Sequence, residues 1–452
     1  MSAAKFFILP PEMSGDPEVG AMLQAFYSRS IEPIEARLNR LGSDLTSVKK
    51  ALNRYYIGYG HQSIGDCGTI TLFVENVSIP AAKALQDHPL YNGQECSTRY
   101  IQLDGDVYSN SPHVDSWLHL YHSVLNAILP GIRAAFPREQ KDTQVVGSEA
   151  RAIEQWENAT KAKAFDIARG WIPCSMLTNL SISMTMRKFN EFTTELIGHP
   201  LAEVRELARK IRIYLRSKFP FGISELGVKD DAISSWHFHT ARKFKELKYV
   251  NSIPLSIASH INFGQRNNSD SEYSAFVELM KTRPRHAPIP QWIDTAGHYV
   301  ISGRIDYGTW RDMQRHRRNA GRVPEMVPTT FYQWYLDQVS QYADSATATR
   351  IIDDTVKLLA NIRVTYQGSD DIYDLPLGNT IYYKYDLPLS QAVYFAELRS
   401  GSTVHSILRP VAQALAVEIE RDFNVELHYD SSPDAFSLKR GDQTIREKTD
   451  GV

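Results

Sequence analysis

The sequence predicts an α+β protein made of two fused copies of one domain, each a β-sheet flanked by long helices. Three observations lead there. The chain has 452 residues, more than one ordinary domain. Its apolar residues recur with both helical and strand periods. One order of elements runs along it twice, at an offset of roughly 200 to 230 residues, longer than any solenoid repeat. The copies are expected at 1–225 and 251–452, with a linker at 226–250.

In the first copy, 22–38 and 45–56 read as helices, followed by Gly60-His61-Gln62-Ser63 and the alternation Ile70, Leu72, Val74 of a half-buried strand. A helix starts at Ser78-Ile79-Pro80, with Ser as cap and Pro in the first turn. After the segment 91–100 come a helix over 114–135, a polar loop over 137–147 and a helix over 159–169, broken by Trp171-Ile172-Pro173. Leu201, Val204, Leu207, Ala208, Ile211 and Leu215 then mark one face of an amphipathic helix. The second copy repeats the plan. Phe276 to Met280 leads into Arg285-His286-Ala287-Pro288, a segment ending in Arg315-His316-Arg317, and a long helical region over 331–364. Leu375-Pro376-Leu377 and a last amphipathic helix with Val404, Leu408, Val411 and Leu415 complete it.

Composition sets the outer limits. With 42% hydrophobic and 23% charged residues the chain is that of a soluble globular protein. A formal net charge of −2 excludes a chain built to coat nucleic acid, so no nucleic-acid partner is expected and any basic site is local. The only apolar run near the start, Phe6-Phe7-Ile8-Leu9, ends at Pro10-Pro11 and makes no signal-peptide core, and no run reaches membrane-spanning length. The expected location is cytoplasmic, with no membrane partner. Cys67, Cys96 and Cys174 are few, odd in number and without Cys-x-x-Cys spacing, which disfavours a disulfide framework or a structural zinc. No metal site is expected. His237 and His239 stand at strand spacing but have no third ligand nearby. No Gly-x-Gly-x-x-Gly and no phosphate-binding Gly-rich loop ending in Lys-Ser/Thr occurs, which excludes a Rossmann domain and a nucleoside triphosphatase.

Two segments carry the chemistry. Glu95-Cys96-Ser97-Thr98-Arg99-Tyr100 lies in the first copy and Arg315-His316-Arg317 in the second. Together they resemble the signature of flavin-dependent thymidylate synthases, an Arg-His-Arg triplet followed by Glu-x-Ser-x-Arg-Tyr. Each copy keeps what the other has lost. The first has Asp87-His88-Pro89 where the triplet belongs, and the second has Arg318-Asn319-Ala320-Gly321-Arg322-Val323 where Ser-x-Arg-Tyr belongs. Outlying positions divide in the same way. Arg169 ahead of Pro173 resembles the family's phosphate-binding arginine, against Asp371-Ile372 ahead of Pro376 in the second copy. Arg399 resembles a later arginine that polarises the uracil, where the first copy has Glu195-Leu196.

The resemblance implies methylation of deoxyuridine monophosphate (dUMP) to thymidylate, with methylenetetrahydrofolate as carbon donor, reduced FAD as hydride donor and NADPH as reductant. It implies that Glu95, Ser97, Arg99, Tyr100, Arg169 and Arg399 bind the nucleotide, with Arg399 and Ser97 closest to catalysis. His61, Ser63, Asp66, His88, Arg187, Arg315, His316 and Arg317 are then the flavin contacts, with His286 and Gln291 as weaker counterparts. The family's tetramer implies a homodimer in which four repeats imitate four subunits, with composite sites between repeats. The residue types suit these tasks. Guanidinium forks bind phosphate oxygens bidentately, and a fixed Arg stabilises charge developing on a uracil carbonyl.

Each residue also has a plainer reading. Arg315 to Arg318 is equally a solvated basic turn, and Ser97 to Tyr100 a helix cap and first turn. His61 and His88 are equally satisfied turn histidines. Arg169 has Asp166 or a helix C-terminus as alternative partners, and Arg399 has Glu397 or Glu195. Pro173-Cys174 matches the dipeptide of the unrelated thymidylate synthases that use a cysteine nucleophile, but Ser175 follows and nothing nearby activates a thiol. Two further functions stand open: a nucleotide- or flavin-binding paralogue without methyl transfer, and a related flavin reaction on another pyrimidine nucleotide, such as hydroxymethylation.

Overall fold

The computed structural model describes residues 15–28, 34, 36, 38, 45–52, 54, 56, 62–102, 106–139, 148–236, 259–265, 270–285, 287–316 and 326–442. In chain order it places helices α1 (Pro17–Tyr27) and α2 (Leu45–Leu52), strand β1 (Thr69–Ser78), helices α3 (Ile79–Gln86), α4 (Pro112–Ala135) and α5 (Glu149–Ala168), and strand β2 (Leu177–Thr185). Helices α6 (Met186–Leu196), α7 (Ala202–Lys218) and α8 (Val228–Ser235) precede strand β3 (Ser259–Gln265) and helix α9 (Asp270–Thr282). Strand β4 (Gly297–Asp306), helices α10 (Tyr307–Met313), α11 (Gln333–Tyr342) and α12 (Ser345–Thr365), strand β5 (Thr380–Pro388) and helices α13 (Leu389–Arg399) and α14 (Leu408–Phe423) follow.

The α+β class and the duplication are both visible in this order. A strand runs straight into a helix four times, β1 into α3, β2 into α6, β4 into α10 and β5 into α13. β1 starts at 69 and β4 at 297, β2 at 177 and β5 at 380, α7 at 202 and α14 at 408. Space is divided differently from sequence. One compact unit comprises Met1–Val77, Ala81–Glu95 and Thr178–Lys248, and the other Ser78–Pro80, Cys96–Leu177 and Tyr249–Val452. The middle of the first repeat thus shares a compact unit with the second.

In the first unit β1 and β2 form a two-stranded sheet. Ile70, Leu72 and Val74, the expected inward face of β1, are all buried. Phe189, Phe192 and Leu196 of α6 and Val204, Ile211 and Leu215 of α7 supply further buried side chains. The Glu18 carboxylate, fully buried, accepts hydrogen bonds of 2.7 Å from the backbone N–H groups of Phe221 and Gly222. The segment read as a linker carries α8, held to α6 by Thr194 Oγ1 donating to Asp230 (2.6 Å) and Ser234 Oγ donating to the Glu195 carbonyl (3.0 Å).

In the second unit β3, β4 and β5 form an antiparallel sheet in that order, with Ile301 opposite Ile261 on one side and Tyr385 on the other. Its core joins both repeats. Trp171 packs against Phe331 with ring centroids 4.7 Å apart and donates from Nε1 to Thr355 Oγ1 at 2.7 Å. The two proline turns meet as an antiparallel pair, Pro173 opposite Pro376. Cys174 N donates to the Leu375 carbonyl and Leu377 N to the Ile172 carbonyl, both at 2.8 Å. In each case the residue after proline donates to the residue before the other proline, a local two-fold relation between equivalent points of the repeats. The helical region expected over 331–364 is two helices. Ala343 and Asp344 are both extended, and the Asp344 carboxylate caps α12 by accepting from Thr347 N at 3.0 Å.

Candidate functional site

The polar centre of the second unit is built where four elements end. β4 stops at Asp306, whose carboxylate caps α10 by accepting from Thr309 N at 2.8 Å. α10 then carries Asp312, and the turn that follows it carries Arg315 and His316. The C-terminal end of α5 delivers Asp166, and the 3-10 turn after it begins at Arg169. α13 ends at Arg399.

Arg99 donates from Nε and Nη2 to the two oxygens of Asp166, at 2.7 and 2.9 Å, a bidentate pair, and Nη2 also reaches the Thr403 carbonyl at 3.2 Å. Asp166 takes a second cation, Arg440. Burial opposes its ionisation, yet the Arg440 and Arg99 guanidiniums hold the carboxyl well below the usual range. The Asp166 carbonyl accepts from His405 Nε2, 3.1 Å away. His405 Nδ1 accepts from Ile407 N, which fixes that tautomer.

Arg169 is 1% exposed. It donates to Thr309 Oγ1 at 2.9 Å and lies 3.9 Å from Asp306 and 3.6 Å from Asp312. Tyr335 donates its hydroxyl to Asp306 at 2.9 Å and closes the other side. Asp312 is the hub. Burial works against its charge, but the guanidiniums of Arg169, Arg99, Arg315 and Arg399 together bring its carboxyl far below the usual range. Arg399 donates from Nε to His316 Nε2 at 2.7 Å and from Nη2 to the Asp312 carbonyl at 3.0 Å.

His316 lies against Phe395, ring centroids 4.9 Å apart, and the Tyr385 hydroxyl is 2.7 Å from its carbonyl. Burial and the neighbouring Arg399 push the imidazole down to about 3, so the ring is neutral and accepts from Arg399. Because this value lies below the unfolded one of ~6.5, the neutral ring contributes stability that is present above that pH and is lost as pH falls toward the folded value. The ring C–H resonances of His316 should therefore show no titration between about pH 5 and 8. A midpoint near ~6.5 would mean an imidazole open to water and would overturn this placement.

The second unit thus brings together Arg99 and Arg169 from the first repeat with Arg315, His316 and Arg399 from the second. Arg317 lies outside the described residues. Ser97 takes the cap role, its Oγ accepting from Arg99 N at 3.2 Å. The Tyr100 ring has the Arg440 guanidinium 5.7 Å from its centroid. Arg399 donates to His316 and to the Asp312 carbonyl rather than to Glu397, which is taken by Arg283 and by His428 N. Cys174 is fully buried and burial pushes its thiol far up, which removes it as a nucleophile. Asp312, Asp306, Tyr335 and His405 were not singled out by sequence. Only Asp312, one helical turn before Arg315, had a local signal.

The remaining candidates sit in the first unit. Glu95 pairs with Lys83 at 2.6 Å and accepts from Gln86 at 3.2 Å. Asp66 accepts from Arg187 Nη1 at 2.9 Å, and Arg187 Nε donates to Glu191 at 2.8 Å. Ser63 is one turn from Asp66, whose N–H donates to its carbonyl at 3.3 Å. His88 Nδ1 accepts from Leu90 N at 3.1 Å, and burial lowers its pKa, helped by Lys188. His61, His237, His239 and His286 lie outside the described residues. Gln291 opens a 3-10 turn, Gln291–Thr295. Among the described residues no helix is long and apolar enough to cross a membrane.

Fold and centre define a duplicated α+β protein whose polar heart is a guanidinium cluster assembled from both repeats. Residues 12–221, within the first repeat, match the model of the family described as thymidylate synthase complementing protein. A UPF0159 protein of Chlamydia pneumoniae is 30% identical over 243 residues, 46% of this chain and 44% of that one. UPF0159 proteins of Thermoplasma acidophilum and Chlamydia muridarum are 24% and 23% identical, over 88% and 89% of this chain and 92% and 88% of their own. The family supports a thymidylate synthase-like function.

Proposed function

We propose that the chain methylates dUMP to thymidylate, with methylenetetrahydrofolate as carbon donor, reduced FAD as hydride donor and NADPH as reductant, at a site composed from both repeats. The carrying observation is the cluster itself. Arg99, Arg169, Arg315 and Arg399, drawn from both repeats, all act on the charge of Asp312, with Arg169 3.6 Å from its carboxylate and Arg399 donating to its backbone carbonyl. The donor set fits a flavin pyrophosphate and a uracil carbonyl, because guanidiniums outnumber carboxylates around Asp312 and two of them have capacity to spare. Arg315 is exposed and makes no hydrogen bond or ion pair with a described residue, and Arg399 keeps Nη1 unengaged among them.

In this reading Arg315 and His316 would hold the flavin's phosphates. When bound, the flavin supplies the hydride that completes the methyl group. Arg399 directs Nη1 at a uracil carbonyl oxygen and stabilises the charge that develops there. His316, neutral and wedged against Phe395, fixes the Arg399 plane by accepting from Nε. Arg99 and Arg169 contribute positive field from behind, their forks already occupied. The reading also makes the protein a cytoplasmic homodimer of four repeats acting on a small-molecule nucleotide, with no nucleic-acid or membrane partner.

One observation favours a second reading. Asp166 fills the Arg99 fork and Arg169 is sealed by Asp306, Thr309 and Tyr335, as in a binding paralogue that has given up methyl transfer. The visible absorption spectrum of the protein with FAD, before and after dUMP, separates these readings. A bound flavin perturbed by dUMP, followed by turnover with methylenetetrahydrofolate and NADPH, is the expected result. Bound and perturbed flavin without turnover gives the paralogue, and no flavin binding overturns the proposal.

A further inference from the structure

In the second unit β4 lies between β5 and β3, and β3 also touches α14. In the first unit β1, the counterpart of β4, pairs among the described residues with β2 alone. The place equivalent to that of β3, between β1 and α7, is a groove of about 790 Å³ that runs along residues 69–75. Ile70, Leu72, Val74, Ile211 and Leu215 line it and are buried, whereas Phe73 and Tyr214 line it while 74% and 53% exposed. A strand edge beside exposed aromatic rings is a template for one more strand. The described chain begins at one end of this groove. Gly15 and Pro17 line it, and the Pro17 carbonyl stands so close to Gly68 that a Cβ there would not fit, which sets the approach to α1 beside the first residue of β1. β3 runs in the same way into α9. It is antiparallel to β4, and its last residue, Gln265, stands opposite the first residue of β4, Gly297, shortly before α9 opens at Asp270. A strand leading into α1 by that plan ends beside Thr69. Residues 5–9, Lys5-Phe6-Phe7-Ile8-Leu9, lie outside the described residues and have the sequence such a strand needs. Four apolar side chains in a row suit a strand covered on both faces, and Pro10-Pro11, without N–H groups, ends its pairing. The chain from Leu9 to Gly15 reaches up to roughly 20 Å, enough to join that strand to the groove's end.

We infer that residues 5–9 dock in this groove as a third strand, antiparallel to β1 and between it and α7, and so give the first repeat the three-stranded sheet that the second one has. The docked strand pairs the N–H and C=O groups on the outer edge of β1 and takes Phe73 and Tyr214 out of water. The inference needs no flavin and no methyl transfer, so it stands or falls apart from the proposed reaction.

Hydrogen exchange of the full chain, read residue by residue, tests it. In the wild type the β1 amides that face away from β2 should exchange about 100-fold or more slowly than those of an unpaired edge, and the amides of residues 6–9 should be slowed with them. Phe7→Asp together with Ile8→Asp puts one carboxylate on each face of the strand. Both sets of amides should then lose that protection, while the β1 amides that face β2 keep theirs and show that the variant is folded. Fast exchange along the outer edge of β1 in the wild type would overturn the inference. Slow exchange there with residues 6–9 unprotected would overturn it as well: the groove then holds a strand of a second copy if the protection falls on dilution, and a strand of another molecule if it does not.

Discussion

Asp166→Asn should lower the free energy of unfolding by about 3–5 kcal/mol, measured by urea or thermal denaturation near neutral pH. Asp166 is 4% exposed and is gripped by two guanidiniums, Arg99 in a bidentate pair and Arg440 through Nη1. Removing its charge leaves both cations buried without compensation, the costly way to break such a pair. The same carboxylate makes a pH prediction. Its folded pKa is depressed below the unfolded value of ~3.9, so the stability it contributes is complete above that pH and is lost as pH falls through the folded value. The variant should therefore show a shallower acid limb in a plot of stability against pH. A loss below about 1 kcal/mol would mean that water reaches the pair and screens it as it does a surface bridge.

Why this pair was hidden, while Arg315 and His316 were legible, follows from where each signal lives. The Arg-His-Arg triplet is local, and so is the alternation of Ile70, Leu72 and Val74 that announces β1. Arg99 and Asp166 are 67 positions apart, and only the packing of α5 makes them partners. β2 had a readable alternation, Thr178, Leu180, Ile182 and Met184 inward against Asn179, Ser181 and Ser183. β5 was harder. Ile381, Tyr383, Tyr385 and Leu387 point inward, but Tyr382 on the other face blurs the contrast, because tyrosine is amphipathic. The break between α11 and α12 was masked by apolar residues that keep a helical period across it, whereas the Asp344 cap was a readable stop and start. The compact units were beyond any periodic signal. What puts 96–177 with the second repeat is mutual burial, Trp117 and Trp171 against Phe331 and Tyr335, and burial between distant segments leaves no local mark.

Arg315→Gln should abolish most turnover while leaving the fold intact, and for that reason it tests the composite site more cleanly than any change at Arg99. Charge removal at Arg99 is also expected to abolish activity, but it strands Asp166, so lost turnover there mixes chemistry with stability. Arg315 is exposed and makes no hydrogen bond or ion pair with a described residue, adding only to the field at Asp312, so its replacement should change stability by no more than about 1 kcal/mol. If it binds phosphate oxygens, kcat/KM should fall about 10²–10³-fold, the scale on which a single positioned donor acts in an active site. Lysine restores the charge without the planar fork, so Arg315→Lys should recover only part of the loss. The split between kinetic constants carries the mechanism. A rise in KM at constant kcat places Arg315 on a group that is bound equally in ground and transition states, as a remote phosphate is, whereas an equal fall in kcat and kcat/KM places it beside the reacting ring. If Nη1 of Arg399, unengaged among the described residues, is the donor to a uracil carbonyl as proposed, Arg399→Gln should give the second pattern. Substantial turnover surviving in Arg315→Gln would break the link between the two half-signatures, because a site that works without the second repeat's intact triplet is not composed from both.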